Sequence, residues 1–90
     1  MFEREYVARH GKNHIVVTNS WFGGAKLYIN GDRMDSDKSG INTGSTAMLR
    51  GTVPNEDGSR SVVEVFGRSG LFSIKIKICV DGQWVGGDEF

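Results

Sequence analysis

Apolar and polar residues alternate one by one along much of this chain, and no stretch places apolar residues at helical spacing. The clearest run is Leu71-Phe72-Ser73-Ile74-Lys75-Ile76-Lys77-Ile78-Cys79-Val80. Phe72, Ile74, Ile76, Ile78 and Val80 fall on one face, and Ser73, Lys75, Lys77 and Cys79 on the other. Such a pattern predicts a strand with one dry and one wet side.

The run stops at Asp81-Gly82 and resumes as Gln83-Trp84-Val85. Upstream, Ala25-Lys26-Leu27-Tyr28-Ile29 meets Asn30-Gly31 and continues as Asp32-Arg33-Met34. Asn-Gly and Asp-Gly favour two-residue hairpins, whose central positions need positive φ. His14 to Thr18 and Ser61 to Phe66 each lead through a glycine-containing turn (19–24 and 67–70) into these hairpins. The chain therefore predicts two copies of one unit. The offset is 47 residues from His14 to Ser61 and 51 from Asn30 to Asp81, a four-residue insertion. Two further strands are expected at Phe2 to Ala8, an edge, and at Thr46 to Val53. Pro54 to Gly58 is a turn, and Asp35 to Ser45 a polar loop. In the second hairpin Val63 and Val65 should share a face with Phe72 and Ile74, leaving Glu64 beside Lys75.

Two such units suit two sheets hiding their apolar sides against each other. The fold expected is an all-β antiparallel sandwich of about seven or eight strands with an internal hairpin repeat, the alternative being a small β-barrel. Ninety residues hold one domain, 1–90. Composition agrees: nine Val, six Ile and five Phe against three Leu and three Ala, with thirteen Gly serving turns.

Eleven Lys and Arg balance eleven Asp and Glu. Zero net charge argues against a nucleic-acid binder and against a polybasic membrane clamp. Cys79 is the only cysteine, so no intrachain disulfide forms, and a reducing compartment is expected. With no signal-like apolar segment at the start and no apolar run near spanning length, the expected location is the cytoplasm.

The segments His14-Ile15-Val16-Val17, Lys26-Leu27-Tyr28-Ile29-Asn30-Gly31-Asp32 and Phe72 to Gly82 together resemble the β-sandwich of the Fas apoptotic inhibitory molecule family. Asn19-Ser20-Trp21-Phe22-Gly23-Gly24 and Trp84-Val85-Gly86-Gly87-Asp88 are similar to small uncharacterised bacterial β-domains. The family resemblance implies a non-enzymatic cytosolic protein that acts through protein contacts, and it carries over no catalytic residue.

Asp35-Ser36-Asp37-Lys38-Ser39-Gly40 copies the first half of an EF-hand loop, with Asp35, Asp37 and Ser39 at oxygen-ligand positions. Position twelve is Thr46 where a bidentate Glu belongs, and no helices flank the loop, so a solvated turn is expected. His10 and His14 are too few for zinc. Cys79, mid-strand, is expected as a covered small side chain rather than a nucleophile. The pairs Gly23-Gly24 and Gly86-Gly87 precede no helix, which disfavours a phosphate loop. No catalytic constellation can be placed by spacing, so no enzyme activity and no cofactor are expected.

Trp21, Phe22, Tyr28 and Trp84 remain as candidate binding residues. They point to a non-catalytic module for a protein or peptide, acting through the 21–24 turn, the 35–45 loop or the Phe2–Ala8 edge. The alternative is a carbohydrate or small-ligand binder with stacked aromatics. A monomer, or a weak dimer through an edge strand, is expected.

Overall fold

The computed structural model describes residues 3–20, 24–37, 47–69 and 74–89. Eight strands follow in order: β1 (Glu3–His10), β2 (Asn13–Ser20), β3 (Gly24–Ile29), β4 (Asp32–Asp37), β5 (Leu49–Pro54), β6 (Arg60–Ser69), β7 (Ile74–Val80) and β8 (Gln83–Gly87). They form two four-stranded antiparallel meanders, β1-β2-β3-β4 and β5-β6-β7-β8. Among the described residues no ladder joins the two, so the architecture is the sandwich and not the closed barrel.

Alternation decides which side each residue takes. Ile15, Val17, Leu27 and Ile29 of the first sheet and Val63, Val65, Ile76, Ile78 and Val80 of the second are buried in one shared core, with Leu49 and Val53 of β5. Burying side chains of this size stabilises by roughly 1.5–3 kcal/mol each. The hydroxyl of Tyr6 is buried at its border with no hydrogen-bond partner among the described residues.

The duplication is visible atom by atom at the two tight turns. Asn30 and Asp81 both adopt positive φ (53° and 49°) and are followed by Gly31 and Gly82 at 87° and 82°. Asn30 N–H donates to His14 O, and His14 N–H donates to Asn30 Oδ1, both at 2.9 Å. Asp81 N–H donates to Val62 O, and Val62 N–H donates to Asp81 Oδ1, again both at 2.9 Å. Each turn residue thus extends the ladder to the strand before its own hairpin. His14 therefore corresponds to Val62, not Ser61, and the copies differ by three residues rather than four. A bulge follows each turn, at Met34 in β4 and at Val85 in β8, the extra residue in each ladder.

Several boundaries move. β4 runs through Asp37, so 35–37 belong to a strand and not to the polar loop. β6 runs through Ser69, into the expected 67–70 turn. The expected Glu64–Lys75 neighbours are not formed: the ladder sets Glu64 opposite Cys79 and Arg68 opposite Lys75. Phe72 and Ser73 lie outside the described residues; Ile74 packs on the core as expected.

The sheets come closest along two seams, β1 against β8 and β5 against β3 and β4. At the first, glycine is required. A Cβ on Gly86 would lie 2.7 Å from Ala8 Cβ and 3.2 Å from the Val7 carbonyl oxygen. At the second, the Asp35 carboxylate accepts the Arg50 N–H at 3.0 Å. β1 is the expected edge strand, but β8 lies along it.

Candidate functional site

Among the described residues, side chains not consumed by the core lie on the two outer sheet faces and at the end where the tight turns gather. At that end Asn13 is buried, with 8% exposure. Its Nδ2 donates to His10 O (3.1 Å) and across the sandwich to Pro54 O (2.9 Å), while its Oδ1 accepts from Asn30 Nδ2 (3.0 Å). Its counterpart in the second copy is Ser61, buried to 3% exposure. Asn55 Nδ2 donates to Ser61 Oγ at 2.9 Å, and the His10 ring N–H donates to Asn55 Oδ1 at 3.2 Å. Buried polar groups must be paired, and here the pairing bolts one sheet to the other. Asp81 is held below the usual carboxylate range by the Ser61 hydroxyl and then by the Val62 N–H. Asp57 is lowered likewise, by the Ser59 hydroxyl and backbone N–H. Each of these carboxylates holds a turn.

On the outer face of the first sheet, register aligns Val7 with Val16, Val16 with Tyr28, and Tyr28 with Arg33. Val7 is 55% exposed, and Val16 and Tyr28 are half-buried. Arg9 and Lys26 stand in the flanking rows. Neither of these, nor Arg33, makes an ion pair among the described residues.

The equivalent row on the second sheet reads Arg50, Glu64, Cys79, Trp84. Arg50 and Glu64 pair at 3.5 Å. The positions held by Val7 and Val16 on the first sheet are thus held by an ion pair on the second. One register step along, the Lys77 ammonium sits 5.2 Å from the centre of the Phe66 ring. Cys79 is buried, and burial pushes its thiol up, opposed by Lys77 and reinforced by Glu64. A thiol kept protonated is a poor nucleophile.

Of the candidate binding residues, Tyr28 and Trp84 are not brought together. Each follows its strand's alternation outward, Tyr28 from the first sheet and Trp84 (51% exposed) from the second, on opposite sides of the sandwich. Trp21 and Phe22 lie outside the described residues. Asp35 and Asp37 sit in β4, and the Asp35 carboxylate is already taken by the N–H groups of Ser36 (2.8 Å) and Arg50. Ser39 lies outside the described residues. No group of three or more His, Cys, Asp or Glu is placed to hold a metal among them. Sequence reading passed over the Val7–Val16 row and the Arg68–Lys75 pair. Both are cross-strand neighbours, visible only once register is fixed.

Comparison with protein-family models, curated proteins and solved structures finds no match. No helix among the described residues is long and apolar enough to cross a membrane.

Proposed function

We propose that this protein is a non-catalytic interaction module that holds a protein or peptide on the outer face of its first sheet. The observation that carries the reading is the Val7–Val16–Tyr28 row. A solvent-facing antiparallel sheet ordinarily shows polar residues there, and the duplicate sheet places the Arg50–Glu64 ion pair at the positions of Val7 and Val16. An apolar strip with Arg9 and Arg33 beside it, and with Lys26 and Glu5 sharing one flanking row, suits a partner segment with apolar side chains next to a carboxylate. The buried thiol of Cys79 and the engagement of His10 by Asn55 fit a role without chemistry. A single free thiol fits a reducing compartment such as the cytoplasm. The carbohydrate reading gains no such support, since Tyr28 and Trp84 face opposite ways.

Peptides selected by display on the immobilised protein test the reading. Selected sequences should be rich in apolar residues flanked by Asp or Glu. In calorimetric titration they should lose at least about ten-fold affinity on Val7→Asp, the scale of one desolvated anchor. Equal affinity for wild type and Val7→Asp would place the contact elsewhere and defeat the proposal.

A further inference from the structure

Zero net charge describes a protein's exterior only if its charges are evenly mixed, and here they are not. Every Asp and Glu of the chain lies within the described residues. Several are spent on the backbone, on turns or on ion pairs. Asp35, Asp81 and Asp88 accept strand N–H groups, Asp57 holds Ser59, and Glu56 pairs with Lys12. On the outer face of the second sheet, strand alternation places Arg50, Arg60, Arg68, Lys75 and Lys77 outward, with Glu64 among them paired to Arg50.

Within that face Arg68 and Lys75 stand directly opposite each other in the ladder, with Lys77 two residues along β7. Like charges facing across a ladder destabilise a sheet. Neither Arg68 nor Lys75 makes an ion pair among the described residues, and both are exposed. The fold does not require them: the corresponding pair in the first sheet is Ser20 and Gly24. A cost that the duplicate copy avoids points to a ligand that repays it. The same face carries two aromatic rings, Phe66 under Lys77 and the half-exposed Trp84.

We infer that the outer face of the second sheet binds single-stranded nucleic acid, its phosphates on Arg68, Lys75 and Lys77 and a base stacked on Trp84. Sheet geometry sets the Cβ atoms that carry these cations about 5–8 Å apart on one face. Cations and an exposed ring on one face are what an unpaired strand engages, whatever its sequence. An acidic peptide would use the cations and leave the Trp84 ring idle.

Fluorescence anisotropy with a labelled twelve-nucleotide single strand of mixed sequence tests the inference. Binding should be saturable at low salt. With about three phosphate contacts, log K should fall against log salt with a slope of about −2. Lys75→Glu should fold with an unchanged or higher Tm, because it places an opposite charge across from Arg68. It should nonetheless bind at least about ten-fold more weakly and with a shallower salt slope. Trp84→Ala should weaken the oligonucleotide several-fold and leave inorganic polyphosphate unaffected. Val7→Asp, on the other side, should change nothing. The inference is overturned if the oligonucleotide does not bind, if Lys75→Glu binds as well as wild type, or if polyglutamate or anionic vesicles bind as tightly with Trp84→Ala neutral.

Discussion

Asn30 and Asp81 perform one task with different chemistry. Each closes a two-residue turn at positive φ and caps the N–H of the strand next door. The amide of Asn30 also donates to Asn13, whereas Asp81 accepts from Ser61. Only Asp81 titrates, and its folded value is lowered below 3.8. Its contribution is therefore complete above the unfolded carboxylate range and disappears as pH falls through the lowered folded value. Asp81→Asn should fold normally at neutral pH, since Asn30 shows that an amide suffices, and should flatten the acid side of a Tm-against-pH curve. Asp81→Ala should lower Tm by several degrees at all pH values, because Val62 N–H loses its acceptor and alanine resists positive φ. An unchanged acid limb in the Asn variant would show that Asp81 is not what titrates.

At the scale of strands and turns, the chain states its plan openly in some places and conceals it in others. Asn30-Gly31 and Asp81-Gly82 announce their hairpins, and Ile76, Ile78, Val63 and Val65 announce their inward faces, because turn chemistry and alternation are local. The extension of β4 to Asp37 is not legible, since Asp35-Ser36-Asp37 has no strand propensity and is held by its ladder to β3 and by the Asp35–Arg50 clasp. The partners of Glu64 and Lys75 are not legible either, because composition does not fix the β6–β7 register. The separation of Tyr28 from Trp84 was hidden for a related reason: alternation sends each outward from its own sheet, and nothing local says that the sheets differ. The seams belong to this scale too. Gly86→Ala meets Ala8 Cβ and the Val7 carbonyl, whereas a Cβ on Gly51 first meets the movable Cδ1 of Ile29, 2.9 Å away. Gly86→Ala should cost about 1–3 kcal/mol in denaturant titration, and Gly51→Ala clearly less. The reverse order would mean that the β1–β8 seam yields more easily than the structure indicates.

Taken whole, the molecule is two copies of a meander, neither of which can hide its own apolar side. Ile15, Val17 and Leu27 are covered by the second sheet and Val65, Ile76 and Ile78 by the first, in one shared cluster. The sheets should therefore melt together. Tryptophan fluorescence and far-ultraviolet circular dichroism should trace the same denaturant midpoint, and the isolated 47–90 segment should remain unfolded. Separated midpoints would mean that one meander survives alone. Outside this common core the copies have diverged, the first sheet keeping an apolar row and the second a cationic one. The two outer faces of the sandwich are therefore differently dressed, and a change on one leaves the chemistry of the other intact.

The seams carry a colloidal consequence. Filaments grow when a strand at the rim of one molecule recruits a strand from the next, and here β1 meets β8 while β4 meets β5. A newcomer must first prise apart a contact such as Gly86 on Ala8, so crowded solutions of this protein should stay free of ordered fibres even though more than half of its residues are in strands.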